Sequence, residues 1–191
     1  LSGGQRQRVV IAGALVLGPE LVVADEPVSM LDVSIRTEIL KLMLDLRTEH
    51  GLTYLFITHD LSVAWIIADR IAVMYLGRIL EIGSAEDVIR RPGNPYTQAL
   101  VSVMPSPEPP EIGHRAKRHI LAGETPSAAA IPAGCRFHPR CPWAARAGIL
   151  ERCRTAEPPL FDMRSGHAAA CWLAEGGRPL PVLDAIPAPG G

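Results

Sequence analysis

The stretch Leu-Val-Val-Ala-Asp-Glu-Pro at residues 21–27 decides the fold, because a short apolar run leads straight into two carboxylates and a proline. A continuous apolar run of this length is typical of a β-strand that is buried on both faces. The stretch Tyr-Leu-Phe-Ile-Thr-His-Asp at residues 54–60 repeats the pattern. Two buried strands are therefore predicted, at residues 21–24 and 54–58.

An amphipathic helix is predicted between these strands. Five apolar residues recur there at helical spacing: Ile35, Ile39, Leu42, Met43 and Leu46. Gly51 follows as a stop signal. A strand, a helix and a strand in this order imply a parallel pair with a crossover helix, and ligand chemistry gathers at the carboxyl ends of such strands. Asp25, Glu26 and His59 are expected at that edge.

Two further elements are predicted before residue 104. Residues 71–75 and 78–82 flank Leu76-Gly77 and indicate a β-hairpin. A helix is predicted through Tyr96, Ala99, Leu100 and Val103.

The start of the chain is predicted to be a helix N-terminus. Ser2, Gly3, Gly4 and Gln5 precede a helical pattern of apolar residues, made up of Val9, Val10, Ala12, Gly13 and Val16. Free backbone amides and a serine hydroxyl at a helix N-terminus favour a bound phosphate. The alternative, an ordinary Ser-Gly cap, stays open.

The carboxylates and the histidine after the strands have candidate roles in phosphate chemistry. Asp25 can hold Mg²⁺ through water, while Glu26 can polarise an attacking water, and the alternative is a surface turn. Asp32 suits the N-cap of a helix over residues 33–49. His59 can contact a phosphate oxygen or relay a conformational signal, whereas the alternative is a structural or exposed histidine.

Composition divides the 191 residues near residue 104, because four of the 18 prolines come before that point and the rest follow. A net charge of -1 is too balanced for a protein that binds a nucleic-acid backbone. The longest uncharged apolar stretch, residues 9–18, is shorter than the ~20 residues that span a bilayer. Residues 105–110 are proline-rich and are expected to be extended.

The four cysteines follow a C-x5-C-x11-C-x17-C pattern, formed by Cys135, Cys141, Cys153 and Cys171. The pattern lacks the C-x2-C knuckles that are typical of structural zinc sites, which weakens a zinc interpretation. Four thiolates could instead hold a [4Fe-4S] cluster, or they could stay unliganded. His138 and His167 are alternative ligands, but exposed histidines are the favoured interpretation.

The ordered motifs of residues 1 to about 60 resemble those of an ABC-type ATPase. They look like its signature motif (residues 1–5), its Walker B strand with the catalytic glutamate (21–26), its D-loop (29–32) and its switch histidine (57–60). The resemblance implies that Asp25 binds Mg²⁺ through water, that Glu26 is the general base and that His59 contacts the γ-phosphate. In the family, residues equivalent to the signature motif and D-loop, here Ser2, Gly3, Gly4, Gln5 and Asp32, contribute to a nucleotide site that is completed only in a head-to-tail dimer.

Three later segments resemble the C-terminal extension of oligopeptide and dipeptide importer ATPases: residues 94–100, 123–127 and 134–142. The implied fold is α/β, the C-terminal half of an ABC-type P-loop ATPase domain plus a small loop-rich module containing the cysteines. The expected divisions are residues 1–104, 105–175 and a disordered tail at 176–191. Some members of the family carry an iron-sulfur cluster on cysteines in this extension.

The implied function is that of an ATP-hydrolysing subunit, with ATP and Mg²⁺, of an importer of peptides or nickel. Its implied partners are a second ATPase subunit, transmembrane permeases and, indirectly, an extracellular substrate-binding protein, with no nucleic acid, at the cytoplasmic face of the membrane. Neither lysine, Lys41 or Lys117, follows a glycine, so no P-loop is found and the chain is expected to be a fragment inactive by itself. The alternatives are a non-transport ABC ATPase and a metal-binding regulatory module on an inactive ATPase remnant.

Overall fold

The protein is described by a computed structural model over residues 2–105, 121, 123–127 and 129–180. Its contacts form two compact units, the first ending at Ala68 and the second beginning at Asp69. Within the described residues, no helix combines the length and the apolar character that crossing a membrane requires.

The first unit contains the predicted strand, helix and strand. Its elements in chain order are α1 (Gly3–Leu15), β1 (Leu21–Asp25), α2 (Val33–His50), β2 (Thr53–Ile57) and α3 (Leu61–Ile67). Strands β1 and β2 are parallel, with Asp25 opposite Ile57 at their carboxyl ends. The helix α2 ends at Gly51, whose φ of 65° is the left-handed conformation that glycine adopts without strain. The order and the parallel pairing are confirmed, whereas α3 was not predicted.

The core of the first unit lies on one side of the two strands. Ile39 and Met43 of α2 pack there with Ala24 of β1 and with Val63 and Ile67 of α3. Partly buried residues of both strands and of α1 line the same core, among them Ile11, Tyr54 and Phe56.

The prediction that both strands are buried on both faces is wrong for the described residues. Leu21, Val23 and Leu55 are 56%, 59% and 55% exposed. Successive side chains of a strand point to opposite faces, and here only the face towards α2 and α3 is packed.

The second unit is built around a four-stranded antiparallel sheet of order β3-β4-β6-β5. Its elements are β3 (Arg70–Tyr75), β4 (Arg78–Ser84), α4 (Ala85–Arg90), α5 (Pro95–Ser102), α6 (Pro142–Arg146), α7 (Leu150–Thr155), β5 (Phe161–Arg164) and β6 (His167–Ala169), with short 3₁₀ helices at His138–Arg140 and Trp172–Ala174. The predicted hairpin is confirmed as β3 and β4. Its turn has φ values of 47° at Leu76 and 76° at Gly77, a pair of positive values that suits a type I′ turn.

Strand β6 pairs with β4, so residues from both sides of residue 104 share one sheet. The pairing joins Glu81 to Ala169 and Ile82 to Ala168. The predicted helix through Tyr96 is confirmed as α5, while α4 and the β5-β6 hairpin were not predicted. The expected extended segment lies outside the described residues apart from Pro105, as does most of the expected tail, and the domain boundaries remain a prediction.

A fully buried carboxylate joins β4 to β6. Glu81 accepts hydrogen bonds from the backbone N–H groups of Gly93 (2.7 Å) and Asn94 (3.0 Å), and its Oε1 lies 2.7 Å from His167 Nε2. The Asn94 side chain donates to the carbonyl of Ala170 at 3.0 Å. The expectation that His167 is exposed is therefore wrong, because its ring is 1% exposed and bonded to this carboxylate.

Candidate functional site

The N-terminus of α1 is capped by its own side chains. Ser2 Oγ accepts from the N–H of Gln5 at 3.3 Å, and Gln5 Oε1 accepts from the N–H of Ser2 at 2.9 Å. This reciprocal capping box realises the cap interpretation of the motif. The Ser2 hydroxyl accepts in the cap and so keeps its own proton for another acceptor.

The two glycines of this motif allow α1 to approach the start of α2 closely. A Cβ on Gly4 would lie 2.7 Å from Ile35 Cγ2, and one on Gly3 would lie 3.3 Å from Leu31 Cδ2. Gly4 is buried. Close packing is thus a structural reason for glycine here, whatever the motif binds.

Glu26 and His59 come together at the carboxyl ends of the parallel strands, as the sequence predicts. Glu26 follows β1 and donates its N–H to the carbonyl of Ile57 at 2.9 Å, which places it beside the end of β2. Its Oε1 lies 2.9 Å from His59 Nδ1. An ionised carboxylate only accepts hydrogen bonds, so Nδ1 is the donor.

The Glu26 carboxylate is accessible and is kept ionised. The Glu26 side chain is 43% exposed and that of His59 is 71% exposed. The hydrogen bond from His59 lowers the pKa of Glu26 below its usual range. The backbone of Glu26 has a φ of 46°, which is uncommon outside glycine and is found at functional sites. Ser29 Oγ donates to the carbonyl of Glu26 at 3.0 Å, which supports this turn.

The two predicted aspartates, Asp25 and Asp32, differ in their contacts. Asp25 ends β1 with an exposed carboxylate that makes no hydrogen bond or ion pair to another described residue. It borders a cavity of about 140 Å³ that is lined largely by apolar residues of α1 and β1. Asp32 is the N-cap of α2 and accepts from the N–H of Ile35 at 3.1 Å.

The sequence analysis did not predict an ion pair that involves the residue after His59. Arg36 Nη1 lies 3.4 Å from Asp60 Oδ2, and Asp60 Oδ1 accepts from the N–H of Ser62 as the N-cap of α3. The pair links the start of α2 to the residue after His59. An Asp two residues before a serine, ahead of an apolar run, is the capping signal that could have revealed α3.

The four cysteines line one small cavity of about 10 Å³ in the second unit. Cys153 and Cys171 are buried, while Cys135 and Cys141 are half-buried. Burial raises the pKa of every one of these thiols, that of Cys141 to about 11 and those of Cys153 and Cys171 to about 12. Without a cation they are therefore neutral thiols at pH 7. Across the described part of the chain, no three His, Cys, Asp or Glu residues are grouped as a site for a metal ion.

Backbone contacts hold the first three cysteines in place. The N–H of Cys135 donates to the carbonyl of Cys153 at 2.8 Å. Gly134, with a φ of 66°, permits this approach, because a Cβ there would lie 2.4 Å from the same carbonyl oxygen. The ring Nδ1 of His138 lies 2.9 Å from the carbonyl of Cys135, and the N–H of Cys141 donates to the carbonyl of His138 at 3.3 Å.

Two family models match separate segments of this chain. A family model described as ABC transporter matches residues 1–29, and one described as the C-terminal region of oligopeptide/dipeptide transporters matches residues 80–147. A solved ATP-binding cassette of an ABC transporter, in its ADP conformation, is 31% identical, with a TM-score of 0.47 over 52% of this chain and 39% of the other.

Curated relatives are similar over most of the chain. A putative peptide import ATP-binding protein of Brucella ovis is 52% identical over 170 residues, which are 89% of this chain and 51% of the relative. The dipeptide transport ATP-binding protein of Haemophilus influenzae is 50% identical over 90% of this chain and 50% of its own length. This chain spans about half the length of the curated relatives it matches. The chain belongs to the family of ATP-binding proteins of oligopeptide and dipeptide ABC transporters.

Proposed function

We propose that this chain forms part of an ATPase subunit that drives a peptide-type ABC importer. The observation that carries the proposal is the ionised, accessible Glu26 carboxylate, held by His59 at the carboxyl ends of two parallel strands. The names of the relatives, a putative peptide import ATP-binding protein and a dipeptide transport ATP-binding protein, support the transport role. Other subunits would determine whether the imported solute is a peptide or nickel.

Glu26 would act on the water that attacks the γ-phosphate. The attack forms a P–O bond to the water oxygen while the bond from the γ-phosphorus to the ADP oxygen breaks. The carboxylate accepts a hydrogen bond from the water, orients it and takes up its proton. His59 uses Nδ1 to hold Glu26, which leaves Nε2 as the ring atom that can reach a phosphate oxygen.

The residues present fit Mg²⁺ as it is held in nucleotide sites. Mg²⁺ there keeps several waters and takes one or two carboxylates plus phosphate oxygens, so a closed cage of protein ligands is not required. Asp25 offers an exposed carboxylate beside Glu26 and would hold the ion through water. The ion, when bound, neutralises charge that develops on the phosphates.

The first turn of α1 would bind the γ-phosphate of ATP carried by a second ATPase subunit. Its amides stand at a helix N-terminus, and Ser2 keeps a proton to donate. Gln5 and Asp32 would support this turn and the adjoining loop as caps of α1 and α2. No lysine in the sequence follows a glycine, so the phosphates of each ATP would be cradled by a P-loop outside these residues.

The four thiols are proposed to hold a [4Fe-4S] cluster. Zinc is the less favoured occupant, because the cysteine spacing lacks the C-x2-C knuckles that are typical of structural zinc sites. A cluster spreads four thiolate ligands over its irons, and the donor set on the cavity is four cysteines. A bound cluster would supply one-electron chemistry and a cross-link in a unit otherwise held by short elements. Iron, labile sulfide and zinc content after anaerobic purification distinguish the cluster, zinc and unliganded thiols.

The remaining partners and the location follow from the transporter role. We place the protein at the cytoplasmic face of the cell membrane, bound to transmembrane permeases. An extracellular substrate-binding protein would act through the permeases. Co-purification of the full-length protein with the permeases from detergent-solubilised membranes tests this placement.

Glu26→Gln in the full-length protein tests the catalytic role. Steady-state ATP hydrolysis is expected to fall at least about 100-fold, because the general base is removed, while ATP binding is retained. Glu38→Gln is the matched control, since Glu38 is an exposed carboxylate of the same unit that pairs with Arg8. Unaltered turnover of the Glu26 variant would contradict the proposal, and absence of turnover in the wild type would favour the regulatory-module alternative.

The coding sequence ahead of residue 1 gives an independent test. An in-frame G-x4-G-K-[ST] motif would supply the phosphate cradle that the mechanism requires. A stop codon or a start codon with no such motif would argue against hydrolysis by this gene product alone.

A further inference from the structure

Three side chains join the helix that carries Cys153 to the turn that follows Cys171. Arg152 of α7 makes two hydrogen bonds to the Glu175 carboxylate, at 2.8 and 3.0 Å. Its guanidinium carbon lies 3.7 Å from the centroid of the Trp172 ring. Trp172 Nε1 donates to the carbonyl of Ala156, the C-cap of α7, at 3.3 Å. We call the set Arg152, Trp172 and Glu175 the α7 clamp.

The α7 clamp lies next to two of the four thiols. Arg152 precedes Cys153, and Trp172 follows Cys171, so each half of the clamp is one residue away from a cysteine on the cavity. Cys135 and Cys141 are held differently, by the backbone bonds to Cys153 and His138. Among the described hydrogen bonds, the contact between the α7 region and the segment after Cys171 is made by the clamp.

The α7 clamp makes more contacts than an ordinary surface ion pair does. A single exposed pair contributes little, because solvent screens it and its side chains lose freedom. Arg152 combines a two-point fork on a carboxylate with stacking on an indole ring, which a lysine cannot reproduce. Arg154, two residues along α7, pairs at 2.8 Å with Glu151 of the same helix and therefore links no second element.

We propose that Arg152 is a positioning residue of the thiol cavity. Through its contacts with Trp172 and Glu175, Arg152 holds Cys153 and Cys171 in their places on this cavity. The proposal concerns the thiols themselves. A further role of Arg152 in retaining a cofactor rests on the iron-sulfur cluster proposed above.

Site-resolved alkylation of the cluster-free, full-length protein tests the proposal. N-ethylmaleimide labelling of each cysteine is followed by mass spectrometry in the wild type, in Arg152→Gln and in the control Arg154→Gln. Labelling of Cys153 and Cys171 is expected to accelerate about fivefold or more in Arg152→Gln, because their exposure requires the clamp to open. The rates at Cys135 and Cys141 should stay within about twofold of the wild type, and Arg154→Gln should match the wild type at all four cysteines.

Two results would overturn the proposal. Unchanged labelling in Arg152→Gln would mean that the clamp does not position the thiols, and an equal rise at all four cysteines would mean that the variant only loosens the whole unit. Arg152→Lys keeps the charge without the fork, so its labelling rates at Cys153 and Cys171 should lie between those of wild type and Arg152→Gln.

Reconstitution with iron and sulfide provides the second arm. If the wild type gains cluster absorbance, Arg152→Gln is expected to lose it at least threefold faster under air. If the wild type takes up no iron, the proposed cofactor fails, and the alkylation result alone decides the role of Arg152.

Discussion

Among the residues that the structure describes, each unit contains one glutamate-histidine pair, and the two pairs differ in their surroundings. Glu26 and His59 have side chains that are 43% and 71% exposed and lie 2.9 Å apart, whereas those of Glu81 and His167 are fully buried and lie 2.7 Å apart. The buried carboxylate accepts two backbone bonds besides that of histidine. The exposed carboxylate has oxygen lone pairs that solvent or a substrate can reach. A glutamate-histidine pair therefore connects two strands in one unit and forms a candidate reaction centre in the other.

The comparison predicts its largest difference for the removal of a carboxylate charge. Glu81→Gln should lower the free energy of unfolding by about 3 kcal/mol, because an amide nitrogen would face backbone N–H donors with no water to replace the lost bonds. Glu26→Gln should leave it nearly unchanged, since water solvates the exposed position. Urea denaturation of both variants measures the difference. Equal effects would show that burial does not separate the two pairs.

A smaller effect is expected from crowding the buried ring. A Cβ on Gly83 would lie 2.8 Å from His167 Cδ2, so Gly83→Ala should displace the imidazole and cost about 1–2 kcal/mol of stability. Gly13→Ala is the control, because a Cβ there meets nothing within 4 Å and alanine favours the interior of α1. Thermal unfolding should give opposite signs for the two variants. A stabilising Gly83→Ala would mean that the ring is not confined.

The smallest effect concerns the exposed pair and its pH dependence. The folded pKa of Glu26 is lower than in an unfolded chain, so the stabilisation from this pair is present above about pH 4.3 and is lost as the pH falls through the lowered value. His59→Ala should raise the pKa of Glu26 towards its usual range, which ¹³C NMR of the side-chain carboxyl measures. His50→Ala removes another exposed histidine of the same unit and should leave that titration unchanged.

Whether the sequence could predict each glutamate-histidine pair depended on whether local sequence patterns mark its two residues. Glu26 and His59 each follow an apolar run, and parallel pairing brings the ends of such runs to one edge, so their meeting could be expected from sequence patterns alone. Glu81 and His167 lie 86 residues apart, and no local pattern marks either of them. Their contact requires β6 to pair with β4, a register that is set by packing.

The α7 clamp and the thiol cavity show the same limit in the second unit. The cysteine spacing left a shared metal site and unliganded thiols both open, and it could not show that the turn at Gly134 brings Cys135 onto the carbonyl of Cys153. Nor could it show that Arg152 reaches Trp172 and Glu175.

The sequence by itself determined the strand-helix-strand order, the hairpin, the caps of α1 and α2 and the choice of Glu26 and His59 as candidate site residues, because periodicity, turn residues and capping are local properties of a chain. Only the tertiary structure decided that one face of β1 and β2 is open, that His167 is buried and that the four thiols face one cavity. Burial and contact depend on which distant segments pack together. Side chains that are far apart in the chain acquire their chemistry from that packing.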